Sequence, residues 1–152
     1  VPTGGNYGQR EQTLIVDLQS RLETYQAHME AVDVRKSAAE LRAIWALGNE
    51  YLQAAEPWAI FKTDPEAAAA IVRLSLNLIA FYGQLSAPFI PDAANAMRAA
   101  MGLPDLQWPK STATALARCE AGDAFKVPEN LFSKINDEQR EQWSEQFSGI
   151  RS

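Results

Sequence analysis

The stretch GNEYLQAAEPWAIFKTDPE, residues 48–66, decides the fold. Its first part continues a helical pattern that must stop before Pro57, because a proline pushes the preceding residue out of the α region. Thr63 and Glu66 have capping-box spacing, and Pro65 lacks only an N–H that a first helical turn does not use. The stretch therefore predicts a helix end, a Pro-Trp corner and the start of a new helix. Pro57 fixes the corner and places Trp58 at a helix–helix junction. There the indole either plugs the end of a bundle or stands outside it as a flat platform. Stacking on an unpaired nucleobase would be worth about 1–3 kcal/mol per base.

Upstream of the corner, Val34, Ala38, Leu41, Trp45, Gly48 and Leu52 recur at steps of four and three. They predict an amphipathic helix over 34–55, with Asp33 able to cap it. Gly48 costs about 1 kcal/mol against alanine inside a helix, so its use is to admit a close neighbour. Leu14, Leu18, Leu22, Tyr25 and Met29 predict another such helix over 9–31. Residues 1–8 are Gly-rich and read as a flexible lead-in.

Downstream, the helix beginning at 63–66 runs to about residue 87 and is apolar on almost every side, which marks it as central. Residues 88–91, PFIP, form a stiff turn, and a short helix over 92–101 is closed by Gly102. Beyond residue 103 the periodicity fades. Pro104, Pro109 and Pro128 punctuate an irregular arm with one short helix near 114–119. A helical pattern returns over 136–147, with Trp143 and Phe147 as its apolar face. No period-two strand pattern and no repeat is present. The expected fold is all-α, an antiparallel helical bundle over 1–103 with an irregular C-terminal arm and terminal helix, 104–152, packed on it.

Composition closes off several chemistries. The 152 residues are 47% hydrophobic and 22% charged, which suits one globular domain and excludes wholesale disorder. Cys119 is the only cysteine, so a disulfide scaffold is excluded and a reducing, cytoplasmic setting is expected. His28 is the only histidine, so a di-iron site built on two Glu-x-x-His pairs cannot exist, nor a Cys/His zinc cluster. Cys119 and His28 lie in unrelated segments, and the cysteine reads as a small buried residue. Gly4, Gly5 and Gly8 do not match a phosphate loop, and Glu40 and Glu50 read as solvated helix faces. No catalytic residue and no metal ligand is assigned. The run 71–85 is interrupted by Arg73, Asn77 and Gln84, so no membrane span is expected, and residues 1–8 do not read as a signal peptide. With 14 Lys and Arg against 19 Asp and Glu, the net charge of −5 argues against DNA or any partner held mainly through phosphates. A partner read through its bases remains compatible.

Residues 48–66 resemble the anticodon-binding domain of the methionyl-tRNA synthetase family, in which a helix ends in N-x-Y and a later Pro-Trp, followed by a Lys, an Asp-Pro and the next helix. Asn49, Tyr51, Pro57, Trp58, Lys62, Asp64 and Pro65 fill that pattern here. The likeness continues through residues 85–91 (LSAPFIP), residues 101–104 (MGLP) and residues 131–135 (LFSKI), so it covers nearly the whole chain. Related class I synthetases of the valine, isoleucine and leucine type share the bundle.

The resemblance implies that Trp58 stacks on an anticodon base and that Pro57 holds the corner. Lys62, Arg35, Lys36 and Arg42 are candidates for contacts to the tRNA backbone, although each alone reads as an ordinary surface charge. The family also reads bases with an Asn and an Arg four apart on the domain's first helix. Asn6 and Arg10 have that spacing, but Val1-Pro2 looks like the end of the turn that follows the family's pair. The pair and the opening helix are therefore expected upstream of residue 1. Signatures resembling H-I-G-H and K-M-S-K-S are missing, so no cofactor is expected in this chain, while ATP and Mg are implied for a parent enzyme that joins methionine to its tRNA. The implied partners are methionine tRNA and the parent's catalytic domain. The competing expectation is a helical protein–protein interaction module without tRNA binding.

Overall fold

A computed structural model describes residues 1–103, 105–128 and 130–149. Pro104, which carries part of the family likeness, lies outside the described residues. The described residues form helices and no strands. The all-α bundle is thus observed.

Helices α1 (Gln9–Glu30) and α2 (Val34–Ala55) form an antiparallel hairpin. Asp33 accepts from the Lys36 N–H at 3.2 Å and caps α2 as its position predicts. The Arg21–Glu40 pair at 3.0 Å bridges the two helices, which leaves Glu40 half-buried rather than fully solvated. The short α3 (Pro57–Ile60) turns the chain into α4 (Pro65–Leu85). Asp64, not Thr63, caps α4: its carboxylate accepts from the Ala67 N–H at 3.0 Å, and the Thr63 hydroxyl turns back to the Ile60 carbonyl. Helix α5 (Pro91–Ala100) follows and stops at Gly102, whose φ of 68° only glycine takes at little cost.

The core is where α1, α2 and α4 meet. Leu18, Leu22, Tyr25, Ile44, Leu74, Phe81 and Leu85 are all fully enclosed. The face α2 buries runs through Ser37, Leu41, Ile44, Gly48, Tyr51 and Ala55, one residue round from the predicted stripe. Packing from both α1 and α4 pulls the contact face between the two possible stripes. As a unit of 21 residues, α4 has the length and composition of a membrane-crossing helix, contrary to the expectation from its interruptions. It is the core helix of this bundle, mostly buried among α2, α3, α5 and α6.

Gly48 does what its position implies. A Cβ there would lie 1.7 Å from the Tyr82 hydroxyl oxygen of α4. That hydroxyl is buried without a hydrogen-bond partner. Gly48→Ala is expected to cost about 1–3 kcal/mol by overpacking, outweighing about 1 kcal/mol of gained helix propensity. Tyr82→Phe removes an unpaired hydroxyl and should be neutral or mildly stabilising. In the Tyr82→Phe background Gly48→Ala should cost less, and denaturant midpoints of the four proteins read that coupling. Strictly additive costs would show that the hydroxyl is not what excludes the Cβ.

The arm is irregular but anchored. Asn77 of α4 is 1% exposed. Its Nδ2 donates to the Cys119 carbonyl at 3.0 Å and to the Arg73 carbonyl at 3.1 Å, and its Oδ1 accepts from the Cys119 N–H at 2.8 Å. Cys119 is buried, as expected. Trp108 stacks on Tyr25 with ring centroids 5.7 Å apart. Burial pushes the Tyr25 phenol up to about 12, and its hydroxyl donates to the Leu85 carbonyl at 2.8 Å. The short helix in the arm is α6 (Thr112–Ala115), two residues earlier than predicted, because Ser111 caps it. The terminal helix α7 (Asp137–Phe147) corrects the expected packing: it buries no residue, and its Trp143 and Phe147 are exposed.

Candidate nucleic-acid interface

Everything at the tip of the molecule follows from how α2 stops. Its last N–H contacts keep helical register until Glu56, whose N–H still reaches the Leu52 carbonyl at 3.1 Å. Glu56 then takes φ 43° and ψ 56°, a left-handed conformation costly for a side chain with a Cβ. Pro57, buried, opens α3 at its first position, where a missing N–H is harmless. The Ala59 and Ile60 N–H groups return to the Glu56 carbonyl at 2.9 and 3.2 Å, and the Asp64 N–H to the Ile60 carbonyl at 2.8 Å. Ten residues of corner are thereby wound into one stiff knuckle.

Trp58 projects from this knuckle and is 56% exposed. It does not plug the bundle, so the stacking alternative left open by the sequence is the one the geometry allows. Its indole lines a cleft of about 430 Å³. Pro57, Phe61 and Pro65 form the corner side, Ala68, Ala69 and Val72 of α4 the floor, and Pro2 of the lead-in the far wall. The alanines matter because larger side chains on that face of α4 would fill the space. The lining is almost wholly apolar and aromatic, a surface for a π-face rather than for a charged group.

The predicted cations are not brought together. Lys62 is exposed four residues beyond Trp58 and belongs to the corner. Arg42 is exposed on α2, thirteen residues before Ala55 and thus about 20 Å away along the axis. Arg35 and Lys36 are at the opposite end of α2, about 30 Å away by the same rise, and Lys36 is paired with Asp33 at 2.9 Å. The four cations therefore form no single basic patch: one lysine stands at the corner and the other three are spaced along α2. Asn49 is exposed, whereas Tyr51 is buried and donates to Glu11 Oε1 at 2.9 Å. Burial and that carboxylate hold the Tyr51 phenol well above the usual tyrosine range. Glu11 Oε2 also accepts from the Gly8 N–H at 2.8 Å, so the pair locks the start of α1 to the last turns of α2.

Arg10 and Phe61 join the corner without having been singled out as site residues. The Arg10 guanidinium donates to the Ala54 carbonyl at 2.9 Å, at the negative end of the α2 dipole. Phe61 is 64% exposed, one helical turn from Trp58. Their signal was available: Arg10 by its spacing from Asn6, Phe61 as an unexplained aromatic one turn after a tryptophan. Among the described residues, no three of His, Cys, Asp and Glu converge as metal ligands.

Comparison with known proteins gives one consistent result. The family described as the anticodon binding domain of methionyl tRNA ligase matches residues 1–152. The methionine–tRNA ligase of Ruegeria sp. (strain TM1040) is 60% identical over 152 residues, all of this chain and 26% of that protein. The methionine–tRNA ligase of Jannaschia sp. (strain CCS1) is 61% identical over 151 residues, 99% of this chain and 26% of that protein. The chain thus spans about a quarter of the length of these curated relatives. Among solved structures, the apo form of Mycobacterium tuberculosis methionyl-tRNA synthetase superposes with a TM-score of 0.76 over 90% of this chain and 28% of that one, at 18% identity. Its complex with methionyl-adenylate gives 0.75 over 88% and 27%, at 20% identity.

Proposed function

Given that the chain belongs to the anticodon-binding domain family of methionyl tRNA ligase, we propose that its Pro57–Trp58 corner reads the anticodon of methionine tRNA by stacking. The observation that carries this is an indole 56% exposed on a backbone knuckle, beside an apolar cleft of about 430 Å³. Trp58 offers its ring face to an unpaired anticodon base. Pro57, buried at the start of α3, holds the ring's position. Lys62 meets the phosphate next to that base. Arg42, Arg35 and Lys36, spaced along α2, are too far from the corner to meet the same nucleotides. They face the anticodon stem instead. This division suits a chain of net charge −5, in which stacking rather than bulk charge carries the recognition. The family assignment favours this reading over a helical interaction module without tRNA binding.

The parent enzyme we infer joins methionine to its tRNA at the expense of ATP, with Mg, in the cytoplasm. Neither group fits the residues here: Gly5 is pressed on the α4 backbone and no acidic cluster forms among the described residues. The chemistry belongs to the parent's catalytic domain, and this segment supplies identity at the far end of the tRNA.

The test is the affinity of the intact protein for methionine tRNA against the same tRNA with its three anticodon bases replaced. The expected result is a loss of about tenfold or more for the replaced anticodon at fixed salt. Equal affinity for the two would overturn the reading.

A further inference from the structure

Residues 1–8 look mobile in the sequence, yet the structure holds them against α4 as a strap. One side chain does most of the holding. Arg73 Nη1 donates to the Pro2 carbonyl at 3.2 Å and to the Gly4 carbonyl at 2.7 Å, and Nη2 to the Gly5 carbonyl at 2.9 Å. The same guanidinium carbon lies 5.7 Å from the centroid of the Tyr7 ring. Gly5 has φ 66°, and a Cβ on it would fall 2.1 Å from the Glu66 carbonyl oxygen. The strap therefore rests on the bare backbone of the first turn of α4.

Pro2, in this strap, is the far wall of the Trp58 cleft. The other walls belong to helices α3 and α4, which hold their own shape through backbone hydrogen bonds. The Pro2 wall has no regular structure of its own. Its position is set from two sides: Val1 beside it donates to the Asp123 carbonyl at 2.6 Å and accepts from the Gly122 N–H at 2.9 Å, and the guanidinium fork of Arg73, half-buried and not itself lining the cleft, holds the strap from Pro2 to Gly5. A guanidinium is suited to this because its planar donors satisfy several carbonyls in one geometry, which an ammonium on a flexible stem does not.

We propose that Arg73 is a positioning residue for base recognition: through the strap it fixes the width of the cleft beside Trp58, and so which base the cleft accepts, without touching RNA. This rests on the reading of Trp58 as a base platform. The strap carries no charged side chain to attract a phosphate, so its contribution is one of shape. A cleft with one loose wall still accepts a base but grips it less well and discriminates less between bases of different size.

The test uses the intact protein and four variants: Arg73→Ala, Arg73→Lys, Gly5→Ala and Trp58→Ala. Affinities are measured for methionine tRNA and for the same tRNA with a pyrimidine–purine exchange at each anticodon position. Arg73→Ala and Gly5→Ala, which loosen the strap by unrelated means, are both expected to weaken cognate binding about tenfold and to shrink the preference over the exchanged tRNAs. Amide exchange over residues 3–8 should rise in both while that of α4 stays protected, a readout of local release rather than global unfolding. Arg73→Lys separates shape from charge. Binding near that of Arg73→Ala supports the fork, whereas binding near wild type means that the arginine acts as a charge on RNA and overturns the inference. Trp58→Ala weakened, with Arg73→Ala and Gly5→Ala within twofold of wild type, overturns the strap's role alone. Trp58→Ala binding like wild type overturns the base platform, and the strap's role with it.

Discussion

Replacing Trp58 by alanine is expected to weaken binding of methionine tRNA by about 5- to 150-fold, the factor that follows from about 1–3 kcal/mol of stacking per base. The expectation is a clean one because the ring is 56% exposed. Its removal takes little from the core, so the melting temperature should barely move and the loss can be read as lost contact. Trp58→Phe keeps a smaller π-face on the same knuckle and should lose less. Trp143 supplies an internal control: it is 45% exposed, on α7, a helix with no buried residue. Trp143→Ala should leave the affinity unchanged. All titrations belong at one ionic strength, because phosphate contacts such as the one proposed for Lys62 vary with salt and the stacking contribution does not vary in the same way. A Trp58→Ala protein that binds within twofold of wild type would remove the base platform from the account.

The second large effect lies in the core, at Asn77. Among the described residues its side chain is the one hydrogen-bond partner of both the N–H and the carbonyl of Cys119, and both residues are buried. Asn77→Ala leaves two backbone groups unpaired away from water, each worth about 1–3 kcal/mol, so a total loss of about 2–6 kcal/mol is expected. For a chain of this length that is a drop of about 4–24 °C in melting temperature. Asn77→Asp does not rescue it, because the new oxygen faces the Cys119 carbonyl where a donor is needed. Thermal melts give the magnitude. Proteolysis at Arg118 and Lys126, on either side of the anchored residue, gives the location: faster cleavage there than in wild type is the expected sign. A melt within about 1 °C of wild type would show that the arm is held by its other ties, the Gln26 and Thr112 hydrogen bonds among them.

The long helices were legible because burial on one face writes a repeating stripe, and twenty residues give it five turns in which to show. Helix α3 was not, since four residues hold no period and Pro57 begins a turn or a helix equally well. The cap of α4 shows a finer limit. Thr63 and Asp64 are both good capping residues, and which one serves depends on where the preceding turn ends. The strap was read as loose because its order comes from Arg73 and from Gly122 and Asp123, all more than sixty residues away, and no local pattern announces such partners. The site divides in the same way. Pro57 and Trp58 were legible as a pair, for a proline before an indole constrains where the ring can go. The cations were not, because a list of charges does not say which end of a helix each occupies. The placement of Arg35 and Lys36 at the far end of α2 needed the hairpin to be seen.

Glu56 carries a consequence beyond its place in the corner. A glutamate held at φ 43° costs about 1–3 kcal/mol that a glycine there would not. The bundle behind it is cross-tied by Tyr51, Glu11 and Arg10, whereas the knuckle ahead of it is a single short turn. On warming, the fingertip is therefore expected to loosen before the core does, and the discrimination between transfer RNAs proposed for it would fade while the bundle is still intact.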